Sequence, residues 1–566
     1  MSSRHKGWLA ATVIATMICL ACGQIYRPVV IPIANIPPSP GNFHAVFSLN
    51  TNAYYGLAPD PNNPGNVIPT LVYGPGSGMQ IDVSGDSDLG AARLVNGTLS
   101  GANPTHGVSL PNDSRVYVAT AGSVLANGVD TIASFVPASG STGSSGIGST
   151  TVVSLPNFVP NPALNAPDFF CPYLPDFVAA SQNTTVYVAN YGAEGLLKQT
   201  PACNLDSTDS IAVVSAASNA VTNIVYLPAG SHPVALAQVQ TLSGNKLYVA
   251  NQGTNIVSSF NTVDMTPNPA VGGFTGTTPV WLVARGDGQL LYALSQGDGQ
   301  LWTINTTNDT VAGSVSVGIG ANYILYDPNL NRLYVTNPNT STVYIFSVVG
   351  NLPSLMNTIV LATDSGPNYP SCVNPCPMSV AALPDGTRAY IASYQLVSGG
   401  APGCTDPNFT VPTSTASAPA CVVTASVTVL DAPTTTVTST ISAFPSGTVA
   451  VPEVANCVPA FGLTGFSPYF PGLVPVLPTP PVGSASRFAT RFRVSAVAAT
   501  DSSRVYVGVC DAGSVAIINA TDSNVNNAGS NIPADTLVLD LLTPFGTGTT
   551  SNAAPQQNPI FLLGGR

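Results

Sequence analysis

Charge is the scarcest commodity in this chain. Of its 566 residues only 7% are Asp, Glu, Lys or Arg; three are lysine (Lys6, Lys198, Lys246) and two are glutamate (Glu194, Glu453). The formal net charge is −11, and an acidic, lysine-poor surface cannot neutralise a row of phosphates, which excludes nucleic acid as a partner. Histidine is almost as rare, with four in all. No helical period is sustained over three or four turns, so helical folds are excluded. Beyond the N-terminus no apolar run is long enough to cross a bilayer as a helix.

What is abundant is Gly (52 residues), Pro (51 residues) and apolar side chains, the last at 45%. A disordered chain would be poor in apolar residues and rich in charge. Here short apolar runs alternate with Gly, Pro and Asn, the pattern of many short strands joined by turns. The fold class is therefore all-β.

A repeat specifies it further. Its clearest copy is Asn331-Arg332-Leu333-Tyr334-Val335-Thr336-Asn337, followed by the alternating Thr342-Val343-Tyr344-Ile345-Phe346. The tyrosine strand recurs around Tyr117, Tyr187, Tyr248, Tyr292, Tyr390 and Tyr506, with a weaker copy at Phe47. A strand that often opens on proline precedes it (Pro233-Val234-Ala235, Pro279-Val280-Trp281, Pro377-Met378-Ser379), and an Asp/Gly turn suited to a tight hairpin leads into it. Four short antiparallel strands per unit make a propeller blade. The unit resembles the YVTN β-propeller family, and Tyr334-Val335-Thr336-Asn337 reproduces its name-giving motif. The resemblance covers about residues 43–563 and implies a single propeller. Eight anchors predict eight blades; seven, the family's usual number, is the alternative if the first unit is degenerate. The terminal Pro559-Ile560-Phe561-Leu562 reads as the inner strand that the first unit lacks, so pairing of N- and C-terminal strands is expected to close the ring and hide two edges. Residues 42–566 form the propeller in this reading, with long insertions near 395–420 and 450–488.

The N-terminus reads as an export signal over residues 1–21: basic Arg4, His5 and Lys6, then an apolar stretch from Trp8 to Ala21 too short for a comfortable span. Leu20, Ala21, Cys22 and Gly23 resemble a bacterial lipobox, with Cys19 where that motif usually has leucine. The resemblance implies lipidation of Cys22 and outer-membrane or surface display, with residues 22–41 as a Pro-rich tether; a plain signal peptide releasing a soluble periplasmic or secreted protein is the alternative. Eight further cysteines in an exported chain predict disulfides. Neighbour pairing gives Cys171–Cys203, Cys372–Cys376, Cys404–Cys421 and Cys457–Cys510.

Candidate sites are sparse. His44, His106 and His232 lie near the starts of blades, where strand ends can face a central channel, but structural roles are favoured because no partner for a general base is implied. Asp82, Ser84, Asp86 and Asp88 alternate oxygen-bearing side chains that could wrap calcium, although ordinary turn composition reads the same way and no other cofactor is expected. Arg487, Arg491 and Arg493, interleaved with Phe488 and Phe492, offer a surface for an acidic glycan or headgroup, or else a solvated strand. Phe461, Phe466, Tyr469 and Phe470 sit in a proline-rich insertion that forms either a partner surface or a lid on the channel. Two functions remain. The first is a non-enzymatic cell-envelope scaffold that binds an envelope protein or glycan through its face loops and reaches the membrane through its lipid. The second is a lactonase-type hydrolase working in the channel. The only glutamates fall in predicted insertions, which counts against a metal-dependent lactonase.

Overall fold

The structure, a computed structural model, describes residues 45–60, 63–84, 86–97, 99–121, 130–138, 147–156, 173–192, 208–241, 244–363, 368, 372–398, 421–444, 447–449, 457, 493–522, 532–544 and 557–565. Its strands form eight antiparallel sheets, each a blade, plus a two-stranded ribbon (Val95–Asn96 with Leu99–Ser100). The fifth blade shows the pattern: Pro279–Ala284, Leu290–Ser295, Gln300–Asn305 and Thr310–Ser316 run from the axis outward. Its second strand is buried throughout, whereas its outermost strand alternates exposed and half-buried residues. Asp287 and Gly288 make the hairpin turn between its first two strands. Gly288 has φ +68°, and a Cβ there would lie 2.1 Å from the Gln240 carbonyl oxygen, so glycine is required twice over.

The eight anchors occupy one equivalent position. Phe47, Tyr117, Tyr187, Tyr248, Tyr292, Tyr334, Tyr390 and Tyr506 are among the largest fully buried side chains, each on the second strand of its blade. Eight blades, rather than seven, follow directly. The first unit is a full blade: the C-terminal strand Asn558–Gly564 pairs with Ala45–Asp60 from Thr51↔Asn558 to Val46↔Gly564 and supplies the inner strand. Ring closure by the chain's two ends is as expected. Such closure removes the open edges that incomplete blades would leave.

The inner strands share a local device. In the inner strands that carry Pro104, Pro175, Pro233, Pro279 and Pro377 the register slips by one residue just after the proline, and the same slip occurs opposite Pro559. Proline donates no hydrogen bond and suits the first residue of a strand; the bulge after it re-aims the next side chains. The fourth blade has three strands only, and Met265–Gly272 irregularly covers its outer edge: the amides of Asn268 and Val271 donate to the carbonyls of Ser259 (2.9 Å) and Val257 (3.2 Å).

Antiparallel order places the connections from second to third strand, and from each blade to the next, on one face. That face receives every expected insertion. In the seventh blade Arg388–Ser398 and Cys421–Asp431 pair out to Ser398↔Cys421, so the hairpin itself lengthens before the insertion. The opposite face carries mostly short polar turns.

Candidate functional site

The bulged inner strands aim one side chain each at the axis. His106 of the second blade stacks on Phe177 of the third (centroids 3.9 Å apart, planes 14°) and meets Phe561 of the first at 4.4 Å. Trp281 of the fifth blade approaches Phe177 at 5.5 Å, Tyr323 of the sixth at 5.0 Å and His106 at 6.4 Å. Blades two and five are not neighbours, so side chains from both can meet only on the axis. Met378 of the seventh blade adds a thioether, to which the Asn322 amide donates at 3.9 Å. The channel is thus closed at this level by packed rings. Four of these residues follow a proline by two positions: Pro104/His106, Pro175/Phe177, Pro279/Trp281 and Pro559/Phe561. That proline–x–aromatic spacing is the sequence signal that locates the axis, and it is a signal overlooked when strands are sought by period alone.

His106 is buried, and the Val178 amide donates to its Nδ1 at 3.3 Å. With Nδ1 accepting, the neutral ring carries its proton on Nε2. Burial holds its pKa down at about 3. The Tyr323 phenol is likewise pushed above its usual range by burial. A neutral histidine wedged between aromatic rings is packing material rather than a base.

His232 occupies the junction of blades three and four at φ +49°. Its Nδ1 lies 2.8 Å from the Tyr191 carbonyl oxygen and 3.2 Å from Asp209 Oδ1, and its ring stacks on Tyr191 at 4.4 Å. Asp209 Oδ2 accepts the Ser231 amide at 3.0 Å. One blade earlier, Asp130 Oδ2 accepts the amides of Tyr173 (2.7 Å) and Leu174 (2.9 Å). Both aspartates brace the entry of the next inner strand, and His232 joins that brace. His44 lies outside the described residues.

The opposite face holds five of the chain's fifteen Lys and Arg residues. A Lys or Arg stands two positions before five of the anchors: Arg115, Lys246, Arg332, Arg388 and Arg504. Period two puts each on the same side of its strand as the tyrosine. Lys246, Arg332, Arg388 and Arg504 reach the turn between the third and fourth strands of the following blade, whereas Arg115 donates to Ser134 Oγ on the third strand of its own blade at 3.1 Å. Lys246 Nζ contacts Asp309 Oδ2 at 2.8 Å, and Tyr248 also donates to Asp309. Arg388 Nε lies 3.1 Å from Asp535 Oδ2, to whose Oδ1 Tyr390 donates at 2.7 Å. Arg332 donates to the carbonyls of Ala432 and, at 3.0 Å, Pro433. Tyr117 donates to Asn219 Oδ1 at 2.6 Å. Asp86, Asn219, Asp309 and Asp535 all have φ between +47° and +59°, a conformation that Asn and Asp tolerate best after glycine.

This arrangement redirects two sequence expectations. Asp86 belongs to the clasp between the last blade and the first, held by Arg504 Nε at 3.0 Å; Asp82 accepts from Ser84 Oγ (2.8 Å), and the exposed Asp88 accepts the Gly90 amide (2.7 Å). Among the described residues no group of three or more His, Cys, Asp or Glu could hold a metal ion. Arg493, expected on a binding surface, is buried: it pairs with Asp511 at 2.8 Å and lies over the Tyr394 ring at 5.1 Å. Its planar guanidinium suits both contacts. Arg487, Arg491, Phe461, Phe466, Tyr469, Phe470 and Cys22 lie outside the described residues.

Among the described residues two disulfides are formed, Cys372–Cys376 and Cys457–Cys510, both with Cα atoms 5.6 Å apart. Cys510 also accepts the Asn558 side-chain amide on its carbonyl at 2.7 Å, tying this disulfide to the closing strand. Cys171, Cys203 and Cys404 lie outside the described residues.

Fold and axis together define an eight-bladed, end-closed β-propeller. No family model matches the chain, and no curated protein matches it. Solved structures that it resembles include a periplasmic gluconolactonase of Pseudomonas aeruginosa (12% identity, covering 92% of this chain and 99% of that one, TM-score 0.41). A protein described as a putative 6-phosphogluconolactonase of Bacteroides uniformis matches at 14% identity over 73% of this chain and 98% of that one, TM-score 0.41. Hydrazine synthase of Kuenenia stuttgartiensis matches at 14% identity over 66% and 87%, TM-score 0.38.

Proposed function

We propose that this is a non-enzymatic propeller of the YVTN type that serves as a binding scaffold in the cell envelope, anchored through a lipid on Cys22. The observation that carries the reading is the aromatic packing on the axis. A propeller's channel is its natural concave site, and here His106, Phe177, Trp281, Tyr323 and Phe561 fill it against one another. Recognition then falls to the faces. The face bearing the long connections is the one suited to an envelope protein or glycan, with Phe461, Phe466, Tyr469, Phe470, Arg487 and Arg491 as the residues that would meet it. A hydrolase at the channel has no comparable observation in its favour.

Crosslinking on intact cells, followed by purification, tests the binding role. A stoichiometric envelope protein or glycan is expected; recovery of the propeller alone, with hydrolase activity on lactones, overturns the proposal. The anchor is tested separately by Cys22→Ala, which should shift the protein from the membrane pellet to the soluble fraction. An unchanged distribution would remove the lipid from the picture.

A further inference from the structure

Blade five departs from the repeat at one place on its third strand. The residue paired with the one after the anchor is small in five other blades: Ala133, Ala212, Ser258, Thr428 and Ala516. In blade five it is Trp302, opposite Ala293. The repeat therefore packs without an indole there, and this one is half-buried. Residues opposite one another in an antiparallel ladder, or two apart on a strand, share a face. By that rule Trp302 stands on the face that carries Ser295, Gln300, Ser314 and Ser316. Asp298, in the turn between the second and third strands, brings its carboxyl beside the indole N–H and accepts the Gln300 amide at 3.3 Å. That turn lies on the side of the disc that bears the long connections.

A strap from the connection between blades four and five lies over this cluster. Phe274 meets the indole with ring centroids 5.4 Å apart and planes tilted by 59°. A Cβ on Gly276 would lie 2.2 Å from Ser295 Oγ, 2.6 Å from Trp302 Nε1 and 2.7 Å from the Phe274 ring, so these groups converge on one point. Ser295 Oγ and Trp302 Nε1 are buried there without a hydrogen bond of normal geometry, and buried groups of that kind call for a partner. The strap is fixed at its ends. Gly272 donates to the Asp309 carbonyl at 2.8 Å and accepts the Val311 amide at 2.9 Å, while the Thr277 and Thr278 carbonyls accept the amides of Gly297 and Gln296. Thr275 and Gly276 make no backbone hydrogen bond. Gly273, at φ +80°, and Gly276 supply a glycine joint on either side of Phe274.

We propose that this face of blade five is a subsite for a neutral saccharide, whose ring stacks on Trp302 in the place Phe274 now holds. The indole offers a flat partner to the apolar C–H face of a pyranose, and Ser295, Gln300, Ser314 and Asp298 meet the hydroxyls at its edge. An acidic sugar is disfavoured: no Lys or Arg occurs from Leu247 to Ala284 or from Gly286 to Asn331. Turning the strap aside uncovers the two unsatisfied groups, and Phe274 occupies the indole when no sugar does. The inference deepens the glycan half of the proposed function and rests on it for the ligand's presence in the envelope.

Isothermal titration of the exported protein with cellohexaose and chitohexaose, two neutral β-linked saccharides, tests the subsite. Saturable binding of at least one is expected. Trp302→Ala should abolish it. Phe274→Ala should tighten it about tenfold, because a closed strap lowers the apparent affinity by the fraction of molecules it covers. Intrinsic fluorescence adds a readout that does not depend on the Trp302 variant folding: the saccharide should change the emission of Trp281→Phe as it changes that of the wild type. Absence of binding to both the wild type and Phe274→Ala overturns the proposal, as does binding that Trp302→Ala leaves unchanged. Binding of tetramethylammonium in place of the saccharides overturns it too, since Asp298 and two rings would then form a cation site. Recovery of the same crosslinked envelope partner with Trp302→Ala would leave the scaffold standing where the subsite falls. Saccharide binding with no partner found on cells would do the reverse.

Discussion

Lowering the pH from 7 to 3 should cost the native protein about 5 kcal/mol through His106 alone, and His106→Gln should abolish that part of the acid sensitivity. The unfolded ring takes up its proton near pH 6.5, the folded ring only near pH 3. Between those values the unfolded chain therefore holds one proton more than the folded one, and stability falls as the pH falls. The contribution is fully present above pH 6.5 and is lost at about 1.4 kcal/mol per pH unit down to the folded pKa. The cause is physical: a charged imidazolium would be buried between Phe177 and Phe561, whose rings cannot replace its hydration. Glutamine retains an acceptor for the Val178 amide and has nothing to titrate. The variant should start less stable, having lost the ring stack, yet lose less on acidification. Asp88, Asp511 and Asp540, whose carboxyls burial raises above the usual range, contribute the opposite slope in both proteins and cancel in the difference. Urea unfolding at a series of pH values measures it, and parallel curves for the two proteins would refute the assignment.

Much of this architecture can be read from residues, for reasons that differ from part to part. The anchors are legible because a buried tyrosine on a fully buried second strand leaves a short apolar run that recurs at each blade. Closure is legible because Pro559-Ile560-Phe561-Leu562 has the composition of an inner strand and the first unit has none of its own. The axis is less so. A single aromatic two residues after a proline looks like any core residue, and only the ring brings Trp281 of the fifth blade to His106 of the second. The same holds for Asp86, which reads as one of four alternating oxygen ligands. Its partner Arg504 lies 418 residues away, and no local pattern can announce a contact made only when the circle closes. In sequence Arg493 belongs with Arg487 and Arg491 to a basic run, yet Asp511, the group it pairs with, follows the next strand of the blade. A residue's spacing gives its strand and side; what stands opposite is set by the neighbouring blade.

The clasp at the closing joint should be the most sensitive to mutation of its kind, with Asp86→Asn lowering stability by about 3–5 kcal/mol. Asp86 accepts from Arg504 Nε at 3.0 and 3.1 Å and from Nη2 at 3.1 Å, and Arg504 Nη1 donates to Asn519 Oδ1 at 2.8 Å and to the Ser503 carbonyl at 3.0 Å. Both charges are buried, at 6% and 3% side-chain exposure. Neutralising one leaves the guanidinium in low dielectric without its counter-charge, and that desolvation penalty is what the measurement would report. Asparagine is the right replacement because the site has φ +47°, which asparagine adopts readily; the loss then reflects charge rather than backbone strain. The comparison is Asp309→Asn at the joint between blades four and five. There Lys246 and Asp309 keep 16% and 11% exposure, so water screens the orphaned lysine and the loss should be nearer 1–2 kcal/mol. Pairing Asp86→Asn with Arg504→Met should recover part of the loss, since it removes the buried guanidinium that the single variant leaves without a counter-charge. Calcium chelation should leave the wild type unchanged, whereas a chelator that reproduced the Asp86→Asn loss would return that aspartate to a metal loop. Equal losses at the two joints would mean that burial of the closing clasp contributes nothing, and that the ring is held at this seam by the terminal strand and the buried contacts around Phe47 and Ile560 alone.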